Sequence, residues 1–181
     1  MYKWKKDFAS AETLYRDLIE KNPSLPELRN ELAELLIWAK RSSEALSLLK
    51  SAGPFSAQDQ NNLLLGKALL YSGKHEEART LVQKMYDLFP QDPELKKLLA
   101  EAFTLNKDYD RAIGLYRELY AAAPHRDIRR QLALLYSWSG KYTESIRILE
   151  EMQSSGEADE QTRLQLARNY IYSGQAPKAI P

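Results

Sequence analysis

The side chains able to do chemistry are few and scattered. Histidine occurs twice, at His75 and His125, and cysteine does not occur. A general base needs a partner within hydrogen-bond reach, and a metal needs several ligands at fixed spacing. The two histidines lie far apart, and neither has a second histidine at helical spacing. The paired carboxylates Glu76-Glu77, Glu150-Glu151 and Asp159-Glu160 read as solvated helix faces or first-turn charges that complement a helix dipole. The glycines are dispersed, so no cluster cradles a phosphate. The sequence therefore predicts no catalytic residue, no metal and no cofactor: a protein that is not an enzyme.

Composition narrows the choice of partner. The 26 basic and 25 acidic residues give a net charge of +1, which supplies no field for nucleic acid or an anionic membrane. A content of 44% hydrophobic and 28% charged residues is that of a folded soluble chain. No apolar run approaches the roughly 20 residues of a membrane-spanning helix. The start of the chain has lysines and no apolar core behind them, so it is not a secretory signal.

The elements that carry these residues recur. Small residues at Ala33, Gly66, Ala100, Ala133 and Ala167 stand 33 or 34 residues apart, each preceded by leucine. Three residues on come Leu36, Leu69, Phe103, Tyr136 and Tyr170; seven on, Lys40, Gly73, Lys107, Gly140 and Gly174; twelve on, Ala45, Ala78, Ala112, Ser145 and Ala179. Spacings of three, four and seven put side chains on one helical face, so each repeat predicts two amphipathic helices. Gly73, Gly140 and Gly174 supply left-handed helix stops, whereas Lys40 and Lys107 predict turns that are more strained or differently shaped. Pro90 and Pro124 close two repeats, and Asp92-Pro93-Glu94 reads as a capped helix start.

These columns resemble the tetratricopeptide repeat, a 34-residue helix–turn–helix. The unit running through Leu99, Ala100, Phe103, Tyr109, Ala112, Tyr116, Leu119 and Pro124 carries the likeness best. Departures are the missing aromatic early in the first helix, the irregular junction Ser51-Ala52-Gly53-Pro54-Phe55, and Glu157 in place of a closing proline. The resemblance implies an all-α, right-handed αα-superhelix of about ten antiparallel helices without a sheet. It divides the single array 1–181 into a half-unit 1–23, units 26–57, 58–90, 92–124 and 125–157, and a half-unit 158–181. Neither end carries a polar cap, so the chain reads as a fragment of a longer array. Its last first helix is expected to expose Leu166, Tyr170 and Ile180, favouring weak self-association.

In this family the first helices line the concave face and hold ligands. Carried onto this chain, the implied partner-binding residues include Asn30, Glu34, Trp38, Lys67, Tyr71, Lys97, Glu101, Arg130, Trp138, Arg168 and Tyr172. Leu63, Leu134, Gln161, Leu164 and Ile171 occupy further positions of the same kind. One position, five residues past each small anchor, reads Trp4, Trp38, Tyr71, Leu105, Trp138 and Tyr172 and holds all three tryptophans. The column is either packing or an aromatic ladder for a partner. The family's carboxylate clamp for chaperone tails does not fit, because the equivalent pairs are Asn30/Glu34, Leu63/Lys67, Lys97/Glu101 and Arg130/Leu134.

The phrases Leu134-Leu135-Tyr136-Ser137-Trp138-Ser139-Gly140 and Leu35-Leu36-Ile37-Trp38-Ala39 also resemble first-helix endings in the periplasmic repeats of bacterial exopolysaccharide-export outer-membrane proteins. That resemblance implies a periplasmic scaffold whose partner is a polysaccharide synthesis or modification enzyme. The alternatives are a carbohydrate-binding groove using the aromatic column and a cytoplasmic adaptor.

Overall fold

The computed structural model describes residues 8–51 and 60–179, apart from the side chains of Gln60 and Asn61. Trp4, Ile180 and the junction at 52–55 lie outside the described residues. Among those described there are ten α-helices and no strand: α1 (Phe8–Lys21), α2 (Pro26–Trp38), α3 (Ser42–Lys50), α4 (Gln60–Tyr71), α5 (His75–Leu88), α6 (Pro93–Leu105), α7 (Tyr109–Ala122), α8 (Arg126–Trp138), α9 (Tyr142–Ser154) and α10 (Glu160–Tyr172). A short 3-10 helix, Ala176–Ala179, follows α10. The chain forms two compact units, Met1–Pro90 and Gln91–Pro181. In the first, each helix packs on the next and α2 also touches α4; in the second, α6 to α10 pack in succession and α8 also touches α10.

Local chemistry sets the helix ends. Asp92 caps α6, its carboxylate accepting the N–H groups of Glu94 and Leu95 at 2.8 and 3.2 Å, with Pro93 in the first turn. At the far end of α2 the Arg41 N–H donates to the Leu36 carbonyl at 2.8 Å, and the Lys40 N–H donates to that of Ile37 at 3.0 Å. The same pair of bonds closes α4, α6, α8 and α10. The left-handed residue is glycine at 73, 140 and 174 but lysine at 40 and 107, where φ is 62° and 61°. The lysine turns thus keep the glycine turns' hydrogen-bonded shape and differ only in backbone strain. Gly156 explains the missing closing proline: at φ 75° it ends α9 with a Glu157 N–H to Met152 carbonyl bond of 2.9 Å.

Small residues let backbones approach. Ala33, Ala45, Ala78, Ala100, Ala112 and Ala133 are fully buried, and Leu32, Leu36, Leu49, Val82, Leu99 and Leu149 fill the space around them. The expected exposure of Leu166 and Tyr170 is corrected: both are buried. The 3-10 helix packs on α10 and brings the Lys178 ammonium to 5.9 Å from the Tyr170 ring, while the Tyr170 hydroxyl donates to Glu150.

One part of the core is polar. Gln165 Nε2 donates to Ser137 Oγ at 2.9 Å, and Ser137 Oγ donates to Asn169 Oδ1 at 2.6 Å. Asn169 Nδ2 donates to Ser145 Oγ, which donates to the Ala133 carbonyl, both at 2.6 Å. This chain of bonds joins α8, α9 and α10 and satisfies the buried side chains it crosses.

Candidate partner-binding face

Because α8 and α10 touch, their equivalent side chains form a small grid. Arg130 corresponds to Leu164 in the repeat, Leu134 to Arg168, and Trp138 to Tyr172. Arg130, Leu134, Gln161, Leu164, Gln165 and Arg168 line one cavity of about 330 Å³, with Leu149 and Thr162 completing its lining. Its electrostatics are unequal. Asp159 Oδ2 accepts from Arg126 at 2.8 Å and from Arg130 at 3.2 Å. Its other oxygen accepts the Thr162 hydroxyl at 2.7 Å and the Thr162 N–H at 2.9 Å, capping α10. Those Thr162 bonds, aided by the two arginines, hold the Asp159 carboxyl below the usual carboxylate range. Arg168 is exposed and makes no ion pair among the described residues.

The described members of the aromatic column all face solvent. Trp38, Tyr71, Leu105, Trp138 and Tyr172 are 63%, 52%, 44%, 50% and 64% exposed. Two of them also lean on a ring from the preceding repeat. Trp138 lies 6.2 Å from Tyr109 at a 44° tilt, and Tyr172 lies 5.8 Å from Tyr142 at 36°. Packing and exposure thus coexist at the same residue. Tyr109 was read from sequence only as part of the repeat and Tyr142 not at all, although both stand nine residues past their anchors and immediately after a turn. Gln165 and Thr162 were also missed, since neither belongs to the positions the family uses.

The remaining positions stand on other helices. In the first unit Asn30 and Glu34 are half-buried on α2, and Lys67 is half-buried on α4, the helix that packs on α2. In the second unit Lys97 is exposed and Glu101 half-buried, both on α6. His75 begins α5, and His125 caps α8, its Nδ1 accepting the Asp127 N–H at 3.2 Å. No group of three or more His, Cys, Asp or Glu among the described residues could hold a metal ion. No described helix is long and apolar enough to cross a membrane.

Comparison with known proteins agrees with this architecture. Tetratricopeptide-repeat family models match residues 5–68 and 63–127, and a PPR-repeat model matches residues 133–157. No protein of curated function matches the sequence. Among solved structures, MamA of AMB-1 is 20% identical, with 84% of this chain and 92% of that chain covered and a TM-score of 0.72. MamA of MSR-1, also 20% identical, covers 94% and 91% at a TM-score of 0.71. TTC0263, a thermophilic TPR protein of Thermus thermophilus, is 19% identical and covers 91% of both chains at 0.67. At such identity the likeness is one of fold. With residues 5–127 matched by the repeat models and the helix pairs described above, the chain belongs to the tetratricopeptide-repeat family.

Proposed function

We propose that this chain is a non-catalytic scaffold that holds a partner protein against its first helices. The observation that carries the reading is the exposed apolar residue closing each described first helix: Trp38, Tyr71, Leu105, Trp138 and Tyr172. Exposed apolar side chains scattered singly are ordinary, but these five share one register position. Tryptophan and tyrosine give large contact area at low entropic cost, the usual composition of binding hot spots. With the amide of Asn30, the side chains Glu34, Lys67, Lys97, Glu101, Arg130 and Arg168 set charges of both signs on the same helices, which suits the varied surface of a protein. Partner capture and melting of Trp38→Ala, Tyr71→Ala and Trp138→Ala test this. Each should melt close to the parent protein, and loss of a hot spot should weaken one captured partner by about thirtyfold, roughly 2 kcal/mol. Large destabilisation with unchanged capture would turn the column back into packing.

A second reading, a carbohydrate groove, draws on the same open rings, which could stack on sugars. A neutral glycan would more often meet amides and hydroxyls than this mixture of charges. Because every tryptophan belongs to the column, intrinsic fluorescence reports on it directly. Saturable quenching by neutral oligosaccharides would favour this second reading. The export-apparatus setting, with a synthesis or modification enzyme as partner, rests on the Leu134–Gly140 and Leu35–Ala39 phrases. A signal peptide and a C-terminal barrel encoded by the same gene would support it, and a gene that encodes neither would favour a cytoplasmic adaptor.

A further inference from the structure

We infer that the cavity between α8 and α10 receives an extended segment of the partner that presents an aliphatic and an acidic side chain two residues apart. This rests on the scaffold reading and names the chemistry of one of its contacts. Two guanidinium groups and no carboxylate line the cavity. Arg130 shares Asp159 with Arg126, so its charge is partly answered, while Arg168 has no acidic partner among the described residues. An incoming carboxylate meets Arg168 with the planar, two-pronged geometry that guanidinium groups favour. The apolar part of the lining is Leu134, Leu149 and Leu164, and Leu164 is half-exposed. Leu164 and Arg168 stand one helical turn apart, about 6 Å along the axis. Alternate side chains of an extended peptide point the same way about 6.6 Å apart. The two spacings match.

Gln165 favours a peptide over a simple fatty acid. Its Nε2 is committed to Ser137 Oγ and Asn169 Oδ1, at 2.9 and 3.1 Å, which fixes the amide plane. Its carbonyl oxygen accepts no hydrogen bond among the described residues, and because Gln165 lines the cavity, that oxygen is left for a peptide N–H to donate to. A group held in advance by the core loses little freedom on binding.

The test is a fluorescence-anisotropy titration of the full chain with a capped, labelled serine–glycine pentapeptide carrying leucine and glutamate two residues apart. Saturable binding with a Kd below about 1 mM is expected, weakening as salt rises. Arg168→Gln and Leu164→Ser should each weaken it about tenfold or more. Arg147→Gln, on the exposed side of α9, should leave it unchanged. Both substituted side chains are exposed, and melting curves check that the variants fold. Equal binding of a peptide with lysine in place of glutamate would overturn the inference. So would an Arg168→Gln affinity within about twofold of the parent, or no saturable binding by this peptide in that range. Loss of a captured partner in Trp138→Ala but not in Arg168→Gln would overturn this inference and leave the scaffold reading standing. Retention in every aromatic variant would bring down the scaffold reading itself.

Discussion

Lys40 and Lys107 carry a backbone conformation that suits glycine, with φ near 60°. A side chain in that region costs about 1–2 kcal/mol, because Cβ crowds the following carbonyl. Glycine removes the clash but is freer in the unfolded chain, which offsets part of the gain. Lys40→Gly and Lys107→Gly should therefore each stabilise by about 1 kcal/mol or less in denaturant melts. The reverse exchange is equally clean. A Cβ built on Gly73 or Gly140 meets nothing within 4 Å, so Gly140→Ala should destabilise through backbone strain alone. An unchanged midpoint for both lysine variants would mean that the lysine side chains stabilise those turns by as much as the strain costs. The sequence shows which residue stands at each stop. It does not show that two hydrogen bonds hold a lysine in a glycine's conformation.

Among the helices, the polar core at α8, α9 and α10 is the least ordinary feature. Ser137, Ser145 and Asn169 replace residues that are apolar in most other repeats: Leu70, Ala112 and Leu135 are their counterparts. Asn169→Ala removes the acceptor of Ser137 and the donor to Ser145, and should cost about 1–3 kcal/mol. Restoring the apolar pattern with Ser137→Ala, Ser145→Ala and Asn169→Leu together should return stability to within about 1 kcal/mol of the parent. A triple variant worse than Asn169→Ala alone would show that the network is worth more than its replacement. Of the three, only Ser145 stands in a column read from the sequence, and columns record position along the chain and not which departures meet. The same limit hid the Trp138–Tyr109 contact and the Arg126–Asp159 pair, whose partners come from different repeats. Helix faces, stops and the Asp92 cap were legible because residues close in sequence determine them. The 3-10 helix over Tyr170 was not: Ala179 keeps its place in the repeat, but Ala176–Ala179 is too short to show a helical period of its own. The cavity was partly legible: the family positions point to Arg130, Leu134, Gln161, Leu164 and Arg168, but not to Gln165, whose orientation the polar core sets.

At the scale of the whole molecule, ionisable ties are distributed unevenly between the two units, and pH separates them. Hydrogen bonds from Arg41 and then Arg16 hold the Glu12 carboxyl low, Arg41 does so for Glu44, and Lys74 for Glu77. Thr162 does the same for Asp159 in the second unit. A carboxyl lowered by folding contributes stability above its unfolded pKa and loses it as pH falls through the folded one. Both units should therefore weaken below about pH 4.5, and Glu12→Gln should flatten that fall in the first unit. The alkaline side differs. Lys141 is raised by its hydrogen bond to Asp110, and Tyr170 is pushed up to about 12 by burial and then by Glu150. Groups raised by folding stabilise fully below their unfolded pKa, and the contribution disappears as pH rises through the folded value. Both lie in the second unit; in the first, Tyr15 is raised in the same way by burial and then by Glu31, so between about pH 10 and 12 both units should weaken, the second by more. Trp38 and Trp138 provide separate probes: with the other tryptophans replaced by phenylalanine, the Trp138 transition should move further to lower denaturant than the Trp38 transition does. Tyr170→Phe keeps the buried ring, removes the titrating hydroxyl, and should shrink the difference. Coincident transitions at every pH would mean that the two units unfold as one, and a Trp38 transition that moves further would refute the assignment.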